Sequence, residues 1–463
     1  MVRDRSRLGE EKISALLREF AVPSIVAMIV NSLYNMVDQF FIGRSVGELG
    51  NAATNIQFPL STACIAIALL CGIGGASAFN IAMGNSRFVK EEVEHAADFM
   101  GNAVTMMVSM GTLLLLITQL FLRPLLLAFG SPENVLGYAM TYTRIVSLGF
   151  PFLIMSSGGG SLIRADGRPK ATMACNLTGA LINTVLDAVF VMGFHWGMAG
   201  AAWATVIGQV IAGGLIIYYL RHAKTVTLQK KNFLPKAENI QRIASLGAAQ
   251  CFNQIAMMIV QIVMNNSLKY YGARSSYGES IPIAVAGIIS KVNMIYMAFV
   301  IGLSQGMQPI VSYNYGSRQY QRVKKAYFMT LLLGLGVSVI FFLLFQFQPQ
   351  TIISIFGDGS SEYVNFAVRY FRIYLLMTFA NFVQPISSNA YTAMGKPVKG
   401  MILSLTRQII FLLPLLLLLP LFWGIDGILY AGPIADAMAV IACAVMSAFE
   451  FSKPQYKRPQ EAE

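Results

Sequence analysis

Residues 221–242 read RHAKTVTLQKKNFLPKAENIQR, the longest polar run in a chain of 463 residues that is 56% hydrophobic and 12% charged. Apolar runs fall at 20–42, 53–80, 96–120, 138–162, 172–193 and 198–220 before it, and at 243–267, 282–306, 325–347, 366–390, 400–421 and 427–449 after it. Each is long enough to cross a bilayer as a helix, which takes about 20 residues. A helix is also the form that satisfies its own backbone groups in hydrocarbon. The polar run therefore splits twelve spans into six and six. Soluble domains carry about 25% charged residues, so the composition excludes an ordinary cytosolic enzyme, a disordered chain and a nucleic-acid binder.

The charges test this count. Lys and Arg number 34 against 22 Asp and Glu, a net +12. With the N-terminus inside, 25 of the 34 fall on the inner side, from Arg3, Arg5 and Arg7 through 221–242 to Lys453, Lys457 and Arg458. The outer loops hold 4: Arg44, Arg123, Lys269 and Arg274. That asymmetry follows the positive-inside rule. It places both ends of the chain in the cytoplasm, with the spans in the plasma membrane, and makes the basic balance a matter of orientation.

The halves repeat. Tyr142-Thr-Arg144-Ile and Gly167-Arg-Pro169-Lys recur 228 residues later as Tyr370-Phe-Arg372-Ile and Gly395-Lys-Pro397-Val. Trp196-Gly-Met-Ala-Gly200 recurs 227 residues later as Trp423-Gly-Ile-Asp-Gly427. Repeats with an even number of spans share one orientation, so they are related by a pseudo-two-fold axis along the membrane normal. The expected fold is an all-α membrane protein with an N-terminal lobe (1–225), a cytoplasmic linker (226–242) and a C-terminal lobe (243–463).

Catalytic signatures are missing. There is no G-x-x-x-x-G-K-[ST] loop, no H-E-x-x-H and no clustered Cys/His spacing. His95, His195 and His222 read as surface residues at span ends, and the cysteines as small buried hydrophobes. The informative residues are ionisable groups within spans, which cost several kcal/mol to bury and need a reason. A rise of about 1.5 Å per residue puts Asp38 roughly 6 Å below the outer end of span 1, Asp187 roughly 9 Å down span 5 and Thr205 roughly 10 Å down span 6. Asn183 is one turn from Asp187 on the same face, and Ala201 one turn from Thr205. Two carboxylates, an amide and a hydroxyl at similar depth suit a small hard cation. The same two carboxylates repel in low dielectric, and a shared proton relieves the repulsion.

In the second half, Asp436 and Lys291 each lie about 12 Å down their spans. They either neutralise each other or line a cavity. Arg407 is expected to snorkel to the inner interface. Gln57 with Pro59, Gln305 to Pro309 (including Gln308), and Asn381 with Gln384-Pro385 are expected to interrupt spans 2, 8 and 10 and to border a substrate cavity.

Asp38-Gln-Phe-Phe-Ile-Gly43, Gly167-Arg-Pro169, Asn183-Thr-Val-Leu-Asp187, Gly200-Ala-Ala-Trp-Ala-Thr205 and Asn314-Tyr-Gly316, set in two six-helix repeats, resemble the multidrug and toxic compound extrusion (MATE) family. The resemblance covers nearly the whole chain. It implies a V-shaped pair of lobes and cation-coupled antiport of organic, often cationic, compounds. It also implies that Asp38, Asn183, Asp187 and Thr205 hold the coupling H⁺ or Na⁺, with the Ala201 carbonyl contributing. Another branch of the family carries coupling acids on spans 7 and 10. Here those spans show Gln250, Gln254, Asn381 and Gln384, which argues against coupling of that kind in the second lobe.

The competing reading is a lipid-linked saccharide flippase of related two-lobe design. Its cavity would need several cations, and Lys291 is the one clear mid-span lysine. An embedded enzyme is disfavoured by the absence of any catalytic motif. The expected partners are small organic substrates and the lipid bilayer, with no nucleic acid, no cofactor beyond the coupling ion, and a monomeric chain.

Overall fold

The computed structural model describes residues 7–278, 280–355 and 361–456. Arg3, Arg5, Lys457 and Arg458 of the charge count lie outside the described residues. The first lobe runs α1 (Ile13–Ser45), α2 (Leu49–Asn85), α3 (Glu92–Leu120), α4 (Glu133–Ala165), α5 (Pro169–Gly193) and α6 (Gly197–Arg221). The second runs α7 (Ala237–Gly272), α8 (Ile281–Gly316) and α9 (Tyr320–Phe347). It continues with α10 in three pieces (Ser361–Tyr374, Thr378–Asn381 and Val383–Ala393), then α11 (Pro397–Trp423) and α12 (Ile425–Phe451). Among the described residues, 11 helices are long and apolar enough to cross a membrane; the broken α10 supplies the remaining crossing, as the repeat partner of α4.

The repeat is visible in local geometry. Gly167 and Gly395 both take positive φ (82° and 69°) at the turn before a helix, where a Cβ would be strained. Pro169 and Pro397 follow in the first turns of α5 and α11, where proline's missing N–H costs nothing. Short helices Leu122–Ala128 and Pro349–Ile355 occupy matching places between the third and fourth crossings of each lobe.

The structure corrects two expected interruptions. Gln57 and Pro59 lie inside a continuous α2, and Gln305 to Pro309 inside a continuous α8. An apolar surrounding makes a broken helix costly, and one proline frees only one backbone carbonyl. α10 does break, and its freed groups are caught. The Thr378 carbonyl accepts from the Tyr296 hydroxyl of α8 at 2.9 Å, and that hydroxyl also pairs with Ser338 Oγ of α9 at 2.9 Å. Tyr296→Phe is expected to lower the unfolding temperature in detergent, reflecting the loss of about 1 kcal/mol.

The lobes meet crosswise: α1 packs on α8 and α2 on α7. Their tightest approaches lie in the half nearer the chain ends. A Cβ on Gly247 of α7 would stand 1.9 Å from the Leu70 carbonyl oxygen, and one on Gly74 of α2 would stand 2.1 Å from the Ile243 carbonyl oxygen. On the other diagonal, positions Gly302 and Gly306 of α8 press on the backbone at Ile25 and Ala21 of α1. Gln308 Nε2 crosses the same seam to the Ile73 carbonyl (3.1 Å) and Ser77 Oγ (3.0 Å). In the opposite half, α1, α2, α7 and α8 expose large apolar side chains such as Leu33, Phe58, Ile262 and Met294.

Candidate functional site: an acid cluster inside the first lobe

The cluster is assembled by helix contacts that the sequence lays down with glycine. α5 and α6 touch at Gly179 and Gly208: a Cβ on Gly208 would lie 2.9 Å from the Gly179 carbonyl oxygen and 2.9 Å from Asn183 Cβ. This approach sets Asn183 and Asp187, one turn apart on α5, against Thr205 of α6. With its nitrogen turned to the carboxylate, the Asn183 amide donates to Asp187 Oδ2 at 3.2 Å and accepts from the Thr205 backbone N–H at 3.1 Å. That orientation gives both atoms of the Asn183 amide a complement. The Thr205 hydroxyl donates to the Ala201 carbonyl at 3.0 Å.

Asp38 enters from α1, with its carboxyl in reach of the Asp187 carboxyl and the Thr205 hydroxyl. Asp187 is fully buried, Asn183 and Thr205 nearly so, and Asp38 partly covered. One oxygen of each carboxylate, Asp38 Oδ1 and Asp187 Oδ1, is enclosed with no hydrogen-bond donor. Two acid groups in one pocket, each with an undonated oxygen, provide what a proton or a small cation requires. The residues fit such an ion through oxygen donors alone. Among the described residues no three His, Cys, Asp or Glu side chains gather in metal-binding fashion. Directly after Asp187 the helix widens into a π-helical turn, Ala188–Gly193, a backbone form concentrated at functional sites.

Two tyrosines belong to the cluster and were missed from the sequence. Tyr34 and Tyr142 both lie within electrostatic range of Asp38 and Asp187, and Tyr142 stands near the Thr205 hydroxyl. Tyr34 precedes Asp38 by four residues, a spacing that could have signalled it. Tyr142 stood out only as part of the repeat.

The second lobe differs. Arg407 and Asp436 stand 228 residues after Gly179 and Gly208, and they form an ion pair through Arg407 Nε and Asp436 Oδ1, with side chains 12% and 4% exposed. Where the first lobe closes two helices backbone to backbone, the second holds them by opposite charges. Of the two readings left open for Asp436, the pair with Lys291 falls, because Asp436 pairs with Arg407. The expected snorkelling of Arg407 is corrected, because its counter-ion at its own depth keeps it buried. The segment carrying Arg407, Thr406–Leu412, is π-helical. Removing one buried partner strands the other, at a cost of about 3–5 kcal/mol. Arg407→Gln is therefore expected to destabilise the detergent-solubilised protein by that order, and Arg407→Gln with Asp436→Asn by markedly less, in a thermal-unfolding double-mutant cycle.

Of the remaining cavity candidates, Lys291 is exposed on α8. Gln57 is buried, its oxygen held by Ser61 Oγ at 3.0 Å and its nitrogen without an acceptor. Gln308 is committed to the lobe seam as described. Gln384 Nε2 is committed to the Leu403 (2.9 Å) and Ser404 (3.2 Å) carbonyls of α11. Asn381 is buried beside the break in α10.

Two crosswise-packed helical repeats around buried acids define a multi-pass membrane transporter. Comparison with known proteins gives the family. The MatE family profile matches residues 23–189 and 249–418, one segment in each lobe. The chain is 23% identical over 429 residues to the multidrug export protein MepA of Staphylococcus saprophyticus, covering 92% of this chain and 91% of that protein. It is 24% identical to MepA of Staphylococcus haemolyticus over 453 residues, covering 95% and 93%. Among solved structures it resembles the MATE multidrug transporter DinF-BH, with 30% identity, a TM-score of 0.87 and coverage of 97% and 98%. An outward-facing multidrug resistance MATE family transporter shares the fold at 19% identity, with a TM-score of 0.89 and coverage of 98% of both chains. This chain belongs to the MatE family.

Proposed function

We propose that the protein is a cation-coupled antiporter that exports small organic compounds, often cationic, from the cytoplasm, with H⁺ or Na⁺ taken up at Asp38, Asn183, Asp187 and Thr205 beside the Ala201 carbonyl. The observation that carries this reading is the pair of enclosed carboxylate oxygens without donors, Asp38 Oδ1 and Asp187 Oδ1. An entering cation screens the repulsion between the two acids and draws α1 toward α5 and α6. Its release lets them part. Export is driven if the ion and the organic substrate favour different arrangements of the lobes.

The assignment includes a monomer in the plasma membrane with both chain ends cytoplasmic, divided into lobes at 1–225 and 243–463 around the linker 226–242. The similarity to multidrug export proteins supports small-molecule cargo and disfavours the flippase reading. Dye efflux from proteoliposomes, under pH and Na⁺ gradients imposed one at a time, tests the proposal. Efflux driven by one gradient and abolished by its dissipation is expected; efflux indifferent to both would refute coupling.

A further inference from the structure

On the face carrying both chain ends, a cavity of about 520 Å³ lies between the two lobes. Its first-lobe wall is the segment leading into α1, with Glu10 and Lys12. Its second-lobe wall is the start of α9, with Arg322, Lys324, Lys325 and Phe328. The walls are tied together: Arg322 Nη2 donates to the Leu8 (3.1 Å) and Glu11 (2.6 Å) carbonyls, and its Nε donates to Asn314 Oδ1 at 2.9 Å. Glu10, the acid at the rim, is turned to Arg87 at 3.3 Å. Among the described residues Lys12, Lys324 and Lys325 have no acidic partner in salt-bridge range. Four cations thus converge on a cavity whose single carboxylate is engaged elsewhere.

We propose that this cavity binds the phosphate-bearing headgroup of an anionic lipid, which then bridges the two lobes. Three observations favour a lipid over free phosphate. The cavity is far larger than one phosphate ion needs. Its lysines stand where α1 and α9 begin, the level at which helices leave the hydrocarbon and basic clusters meet anionic headgroups. From Lys324 an exposed apolar stripe follows the same face of α9 at helical spacing, through Phe328 (47% exposed), Leu332 (68%) and Leu335 (40%), and offers a track for the acyl chains. The site rests on the orientation assigned above, since the cytoplasmic leaflet is the anionic one.

The test is native mass spectrometry of the full-length protein in detergent titrated with phosphatidylglycerol. Lys324→Gln/Lys325→Gln is expected to lower lipid retention roughly tenfold or more, at about fivefold per basic residue. The control Lys230→Gln/Lys231→Gln, on the linker of the same face, is expected to retain lipid as wild type does. Thermal unfolding confirms that both variants are folded. Equal retention in all three proteins, or equal loss in the two variants, overturns the site. Stabilisation by inorganic phosphate with no lipid adduct overturns the lipid assignment. Lipid retention is read without transport, so failure of the efflux assay would count against the proposed coupling and not against this site.

Discussion

Asp38→Asn and Asp187→Asn are each expected to leave the protein folded and inserted while reducing ion-driven efflux to the level of empty vesicles. The substitution keeps the volume of the side chain, so α1, α5 and α6 lose no packing contacts. It removes the charge that makes the pocket a cation site, and it replaces one acceptor oxygen with an amide donor. At position 187 the remaining amide oxygen can keep the place of Oδ2, which accepts from Asn183 at 3.2 Å. The new NH2 group then falls where the donor-free Oδ1 stood and turns a cation acceptor into a donor. Because the two acids share one pocket, either loss is expected to disable coupling, and the double variant to be no worse than either single one. Thr205→Ala removes a neutral donor and is expected to weaken ion dependence without abolishing efflux. Full gradient-driven efflux in both Asp variants, measured in proteoliposomes at matched protein density, would end the coupling assignment.

The second large effect is expected at the seam between α2 and α7. Any Cβ at position 247 falls inside the Leu70 carbonyl, so Gly247→Leu cannot be absorbed by a side-chain rotation. The helices must separate by a few ångströms. Each lobe keeps its own core, because the seam is a surface between lobes. The variant is therefore expected to fold but to be unable to close on the side of the chain ends, with loss of export. Cys71 next to Leu70 is fully buried and lies across the seam from Cys251 on α7, which makes it a native reporter. Its rate of maleimide labelling is expected to rise roughly tenfold or more as the population shifts. Wild-type labelling and wild-type export in Gly247→Leu would show that the close approach is not needed for closure.

The general plan was legible because a bilayer imposes simple rules. Hydrophobic length counts the crossings, and basic residues label one side. Repeated turn motifs then relate the lobes, and Gly167 and Gly395 do occupy matching turns. The acid cluster was readable for the same reason: depth along a helix follows from residue number, which puts Asp38, Asp187 and Thr205 at similar levels with Asn183 one turn from Asp187. Depth says nothing about azimuth. Asp436 and Lys291 share a depth but face differently, and the partner of Asp436 proved to be Arg407 on the adjoining helix. Tyr142 was invisible for a related cause, since its side chain reaches the acids only through the packing of α4.

The features legible from the chain alone are therefore one-dimensional: the crossings, their repeat and the level of each charged group in the membrane. Which helices touch, which acid meets which base, that α10 breaks while α2 and α8 run through their prolines, and that the lobes close on the side of the chain ends were decided by tertiary structure. The physical reason is that lipid is as apolar as leucine and exerts no pull of one helix toward another. Helix partners are selected by close backbone approach and polar complementarity, and those exist only once the helices stand side by side.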